Sequence, residues 1–236
     1  MKTFFDYILS LFLLIVLSPV IIVICIIIFL TDFNNPFYIS NRVGLNFKQF
    51  QMIKFRSMII DADKNKVFST KSDDERLTKI GKFVRKFKLD ELPQLINVLR
   101  GQMSFVGPRP NVLFEVKQYY EYEKKLLNVK PGITDLASIV FSDEAEILEN
   151  SEDPNKDYSL LIRPWKSKLG NFYIENKDFI LDLKIITFTL LNFLNRGYVL
   201  RKISNLIKHK SKDNELAIIC LRKVDLRDMI NANTKS

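Results

Sequence analysis

A single histidine, His209, occurs in 236 residues, and it lies in a basic stretch near the C-terminus. Chemistry that needs a histidine base, a Ser-His pair or a His-rich metal site therefore has nothing to run on. The two cysteines, Cys25 and Cys220, are isolated from each other. They form neither a disulfide framework nor a zinc motif, which suits a reducing compartment. No glycine-rich phosphate loop, internal repeat or low-complexity run is present.

Charge is missing too, from Tyr7 to Leu30, where the chain is almost wholly apolar. As a straight helix that stretch would be roughly 36 Å long, enough to cross a bilayer core of about 30 Å. It is too long for a secretory signal and is followed by no small-residue cleavage pattern. Ser18-Pro19 falls near its middle, where proline removes a backbone hydrogen bond and predicts a kink. Two readings follow: a kinked single span, or a helix that enters, bends at Ser18 and Pro19, and returns to the same face. Lys2 lies before the segment and Arg42, Lys48, Lys54 and Arg56 after it, which is easier to explain if both flanks face the cytoplasm.

The formal charge is +9. Arg76 to Lys88 holds six Lys or Arg and no acid, and so does Arg196 to Lys212. Beside a membrane helix such clusters meet anionic lipids, at about 1 kcal/mol per residue near the surface. Nucleic acid is the competing partner, but there is no nucleic-acid motif and no base-stacking platform of aromatics. The segmentation reads as a membrane element over 1–30, one globular domain over 31–195 and a basic tail over 196–236. The fold class is α+β, mainly helical with a few short strands: a hairpin within Phe37 to Phe55, a basic amphipathic helix from Leu77 to Lys88, a helix from Val112 to Leu127, and a polar stretch over 59–72.

Residues 85 to 110 hold the densest chemistry. Leu92, Leu95, Ile96 and Leu99 follow the spacing of one buried helical face. Asp90 reads as its N-cap, with Pro93 tolerated in the first turn. Asp90 and Glu91 then project from a positive helix end, between cations and a Gly107-Pro-Arg-Pro110 turn. The bland alternative is a pair of acids that only serves the helix dipole. Asp74-Glu75 and Asp143-Glu144 repeat the dipeptide in stretches that read as solvated.

Several marks in order resemble the bacterial sugar transferases known as monotopic phosphoglycosyl transferases. They are the apolar helix broken at Ser18-Pro19, then Arg42-Val-Gly44, Lys54-Phe-Arg-Ser-Met58, Leu89-Asp-Glu-Leu-Pro-Gln-Leu-Ile-Asn-Val-Leu99, Gly101-Gln-Met-Ser104, Val106-Gly-Pro-Arg-Pro110 and Pro131-Gly-Ile-Thr134. The resemblance implies transfer of a sugar phosphate from a UDP-sugar to polyprenyl (undecaprenyl) phosphate, with release of UMP. It also implies Mg²⁺ as cofactor, a re-entrant membrane helix, interfacial amphipathic helices, and work at the cytoplasmic face of the bacterial inner membrane. The product would start a glycan such as O-antigen, capsule or exopolysaccharide. By resemblance Asp90 is the nucleophile and Glu91 the Mg²⁺ ligand, while Arg85, Arg109, Lys54 and Arg56 hold phosphate or nucleotide oxygens. The sequence departs from the family at Lys88, where Ser is frequent, and after Thr134, where Asp135-Leu-Ala-Ser138 stands. The rival expectation is a membrane-anchored scaffold for acidic lipids without catalysis. Homo-oligomerisation is left open.

Overall fold

The computed structural model describes residues 1–62, 74–211, 213–224 and 226–227. Most of the polar stretch read over 59–72 lies outside the described residues. Helices dominate: α1 (Lys2–Asp32), α2 (Lys79–Lys86), α3 (Gln94–Leu99), α4 (Leu113–Val116), α5 (Glu121–Lys124), α6 (Leu136–Val140), α7 (Glu144–Ile147), α8 (Pro154–Asp157), α9 (Arg163–Asn176), α10 (Phe179–Asn192), α11 (Arg196–Lys210) and α12 (Asn214–Cys220). The strands are β1 (Phe37–Val43), β2 (Gln49–Phe55), β3 (Ser104–Val106) and β4 (Gly132–Thr134). β1 and β2 form an antiparallel hairpin that pairs Phe37 with Phe55 and Val43 with Gln49. β3 and β4 pair in parallel.

α1 is fastened to the domain at both ends. The Lys2 ammonium bonds Asp182 Oδ2 (2.7 Å), the Tyr173 hydroxyl (2.8 Å) and the Val106 carbonyl (2.8 Å). At the far end Asp32 accepts two bonds from Arg56, the longer at 2.7 Å. Between them one stripe, including Asp6, Ser10, Ile24 and Ile28, is buried. Ile8, Phe12, Ile15, Val23 and Ile26 are among the residues left exposed. The helix runs on through Ser18-Pro19. Proline cannot donate to the Ile15 carbonyl, and the Ser18 hydroxyl does so instead at 2.8 Å. The pair is thus a repaired gap in the hydrogen-bond ladder rather than an end of the helix.

Three other expectations are corrected. The helix read from Asp90 begins at Gln94, because Pro93 has no amide to close a bond onto Leu89. The chain takes 3₁₀ geometry at 89–91 instead, with Leu92 donating to the Leu89 carbonyl. The helix read over 112–127 splits into α4 and α5, because the Glu123 carboxylate accepts from the Tyr120 amide and starts a new helix there. The basic stretch after residue 195 contributes Val199, Ile203, Ile207, Leu216 and Ile219 to the main core.

Two glycines let the β3–β4 pair close. A Cβ on Gly107 would stand 2.3 Å from the Lys130 carbonyl oxygen, and one on Gly132 would stand 2.1 Å from the Gly107 nitrogen. Both obstacles are backbone, which cannot swing aside. The Gly-Pro-Arg-Pro and Pro-Gly-Ile-Thr segments are therefore two halves of one contact, and Arg109 leaves directly from it. Gly132→Ala should destabilise the protein by about 1–3 kcal/mol through overpacking, read as a lower Tm in detergent.

Candidate active site

Three segments converge on the carboxylate pair. β2 supplies Lys54, the 3₁₀ turn supplies Asp90 and Glu91, and the loop after β3 supplies Arg109. The Lys54 ammonium lies 3.0 Å from Glu91 Oε1 and 3.9 Å from Asp90 Oδ2. Arg109 Nη2 donates to the same Glu91 Oε1 at 2.6 Å. Glu91 Oε2 has no protein partner among the described residues.

Local structure explains the placement. The Asn97 side chain, on α3, accepts from the Ile53 amide (3.0 Å) and donates to the Gln51 carbonyl (2.7 Å). It stitches the short helix after the dyad to the strand that carries Lys54. The Asp135 carboxylate accepts from the Ser138 amide at 2.6 Å as the N-cap of α6, and from the Arg109 amide at 3.2 Å. That second bond fixes the backbone from which Arg109 reaches Glu91. Arg85, in the last turn of α2, rests its Nε on the Ser57 hydroxyl at 2.8 Å. α2 can approach Ser57 only because residue 81 is glycine, since a Cβ there would meet the Ser57 carbonyl oxygen at 1.8 Å.

The two acids differ in their electrostatic surroundings. Burial raises the Asp90 carboxyl above the usual carboxylate range, with Lys54 opposing it and Glu91 reinforcing it. Burial also pushes on Glu91, but Arg109 and Lys54 outweigh it and hold that carboxyl well below its usual range. Glu91 is thus the fixed anion, and Asp90 is the member whose protonation can change. Burial pulls the Lys54 ammonium down, against the attraction of Glu91.

Asp90 stands where two clefts meet. One, of about 350 Å³, is polar and is lined by Lys88, Glu91, Arg109, Glu115, Glu144 and Lys166 among others. The second, of about 360 Å³, runs toward the end of α1 past Asn34, Phe37, Arg56, Met58 and Ile60. Arg42, Lys54, Arg85 and Asp90 line both.

The arrangement gathers Lys54, Arg85, Asp90, Glu91 and Arg109, but not all of the residues read from sequence. Arg56 is spent on Asp32 and lines only the second cleft. Ser18 and Pro19 lie on α1, outside both clefts. Lys88, noted in the sequence as an added cation beside the dyad, lines the polar cleft, whereas Arg42, Glu115, Tyr158 and Lys166 were not anticipated as site residues. Arg42 sits in a motif already singled out, and the hairpin register brings its strand beside Lys54. Glu115 and Lys166 carry no local signal, because the fold alone brings them to the cleft. Glu144, read as solvated, pairs with Lys166 in the cleft wall. Asp143 instead pairs with Arg196 at 2.9 Å and Arg222 at 3.4 Å.

The oxygen donors around the dyad are of the kind that Mg²⁺ takes. Among the described residues no group of three or more His, Cys, Asp or Glu side chains forms a metal cage. Mg²⁺ does not need one, since it commonly takes one or two carboxylates and completes its shell with phosphate and water. Adjacent hard oxygens of Asp90 and Glu91, with Glu91 Oε2 free, fit that requirement.

The family described as bacterial sugar transferases matches residues 1–196. The chain is 38% identical over 197 residues to a UDP-glucose:undecaprenyl-phosphate glucose-1-phosphate transferase of Klebsiella pneumoniae, covering 81% of this chain and 40% of that protein. It is 35% identical over 192 residues to the uncharacterized sugar transferase EpsL of Bacillus subtilis, covering 80% and 85%. It is 39% identical over 152 residues to an undecaprenyl-phosphate galactose phosphotransferase of Salmonella typhimurium, covering 58% and 32%. The chain thus spans well under half of the Klebsiella and Salmonella proteins and most of EpsL. With Asp90, Glu91 and Arg109 all inside the matched span, the chain belongs to the bacterial sugar transferase family.

Proposed function

We propose that this protein transfers a sugar-1-phosphate from a UDP-sugar to undecaprenyl phosphate, or a similar polyprenyl phosphate, and releases UMP. The observation that carries the reading is the position of Asp90 at the junction of two clefts, inside a ring of cations. An Asp90 oxygen attacks the sugar-bearing phosphorus of the donor. The bond from that phosphorus to the bridging oxygen breaks, and UMP departs with the electron pair. A phosphate oxygen of the polyprenyl phosphate then attacks the aspartyl phosphate and regenerates the carboxylate. Arg85 and Arg109 are placed to hold the phosphate oxygens in fork geometry. Glu91 orients Lys54 and Arg109 around the reacting group, and the preset cations need no reorganisation as charge moves to the leaving phosphate. Mg²⁺, held by Glu91 and Asp90, would supply further neutralisation of the phosphate oxygens. The polar cleft suits a water-soluble nucleotide, and the second cleft suits a lipid-borne phosphate arriving from the α1 side. The names of the Klebsiella and Salmonella relatives support this substrate pair.

The same reading makes α1 re-entrant, with the catalytic domain on the cytoplasmic face of a bacterial inner membrane. Its support is that Lys2 and Arg56 fasten the two ends of α1 to one domain, while the apolar face between them is exposed. Phe83 on α2 and Phe87 just after it, and Ile180 and Leu190 on α10 with Leu194 just after it, are exposed apolar side chains as well. Basic residues beside them would meet anionic lipid. Single cysteines at Lys2 and Lys48, in a background with Cys25→Ser and Cys220→Ala, should both be protected from an impermeant thiol reagent added outside sealed right-side-out vesicles. Labelling at one position alone would mean that α1 crosses the membrane.

Asp90→Asn should reduce UMP release in detergent by at least a thousandfold, because an amide cannot form the acyl phosphate. It should also abolish trapping of label from a donor carrying ³²P at the sugar-bearing phosphate. Retained turnover would remove Asp90 from the chemistry. The acid limb of the pH profile follows from the same electrostatics. Asp90 must be ionised to attack, and Lys54 is the main cation lowering its carboxyl pKa. Lys54→Met removes that opposition, so the carboxyl titrates higher and the acid limb should move to higher pH. A shift in the opposite direction would contradict the assignment.

A further inference from the structure

Cations in the polar cleft are answered unequally. Lys54 and Arg109 bond Glu91, and Lys166 pairs with Glu144. Arg42 and Arg85 each rest their Nε on a serine hydroxyl, at Ser40 and Ser57. Lys88 lines the same cleft, yet among the described residues no hydrogen bond or ion pair engages its ammonium. Lys88 is half-buried, and Arg109 is a further cation in the same cleft. An ammonium held partly out of water with no anion against it is costly, and the cost is relieved when an anion arrives.

The backbone points the same way. Lys88 is left-handed, at φ 53° and ψ 23°, a region in which glycine or asparagine would be at less cost. Sites of binding are where such strain is tolerated. The residue is also fixed relative to the dyad, because its carbonyl accepts from the Glu91 amide at 3.3 Å. Lys88, Glu91 and Arg109 all line this one cleft. The side chain is therefore committed to the wall of the cleft that carries Glu91 and Arg109.

We propose that Lys88 is a ligand for the nucleotide's phosphate, an additional cation that this chain places beside the carboxylate pair. The inference rests on the reading of the polar cleft as the nucleotide-diphosphate site. It assigns Lys88 to binding the phosphate end of the ligand and not the uridine ring. UMP is the informative probe, since it is common to every UDP-sugar donor and leaves the sugar out of the question.

The test is equilibrium titration of the full-length protein in detergent with UMP, uridine and inorganic pyrophosphate. The wild type is compared with Lys88→Asn, which tolerates the left-handed backbone, and Lys88→Arg, which keeps the charge. The expected result is a five- to tenfold rise in the UMP Kd for Lys88→Asn, a Kd within twofold of wild type for Lys88→Arg, and an unchanged response to uridine. An unchanged UMP Kd in Lys88→Asn overturns the proposal. So does an equal loss for uridine, which would mean that the substitution deforms the pocket. A wild type that binds pyrophosphate but not UMP would refute the nucleotide reading by itself. In that case a fivefold weaker pyrophosphate Kd in Lys88→Asn keeps Lys88 as an anion ligand, and an unchanged one rejects it.

Discussion

Everything at the centre of this molecule depends on one oxygen atom, Glu91 Oε1. Lys54 reaches it from the hairpin and Arg109 from the loop after the parallel strand pair. These three segments are far apart in sequence and share no backbone ladder at this point. A buried ion pair of this kind is weak evidence of stability, because desolvation offsets most of the attraction. Its value lies in geometry: with one carboxylate oxygen accepting from two cations, neither cation can turn away without stranding the other charge. Gly107 and Gly132 serve the same end from behind, letting two backbones touch so that Arg109 starts from a rigid base.

The neighbouring acid shows why two carboxylates are needed rather than one. A lone buried aspartate among cations would be held as a tightly bound counter-ion, too stabilised to leave for phosphorus. Glu91 takes the strongest contacts with Lys54 and Arg109, and its negative charge raises the Asp90 carboxyl. Asp90 sees cations at longer range, with Lys54 at 3.9 Å. It is ionisable yet not locked. Proton affinity and nucleophilicity rise together for an oxygen base, so in the proposed reaction the environment that lifts the Asp90 pKa also favours attack.

Much of this site could be read from residue order, and the reason is physical. Asp90 and Glu91 lie within one turn–helix unit, so their relation is local. Arg85 is read from the family resemblance, and Lys54 from its place in the Lys54-Phe-Arg-Ser-Met58 motif. The limits were equally physical. Pro93 moved the helix start to Gln94, because one missing amide tips a short segment from α to 3₁₀ geometry, a balance of about a hydrogen bond. The left-handed backbone of Lys88 could not be foreseen, since lysine gives no sign of it. Glu115 and Lys166 come from α4 and α9, and only tertiary packing brings those helices to the cleft. Arg56 looked like Lys54 in sequence, two residues further on and just past the end of β2. It was claimed by Asp32, a partner at the far end of α1 that no local pattern links to it.

The placement of α1 bears on how one site can serve two substrates of opposite solubility. A helix anchored only at one end would let the domain tumble above the membrane, and the distance from Asp90 to the lipid would vary. Here Lys2 grips the carbonyl of Val106, three residues before Arg109, and Asp32 grips Arg56, two residues after Lys54. Each end of the apolar helix is thus tied within three residues of one of the two cations that hold Glu91. The position of the apolar helix and the geometry at the dyad are set by the same contacts. A lipid-borne phosphate confined to the headgroup plane has little freedom to seek out a distant carboxylate. Fixing the carboxylate relative to that plane replaces a search in three dimensions with one in two, an entropic gain of the kind that brings a phosphate and its nucleophile into register before any bond is made.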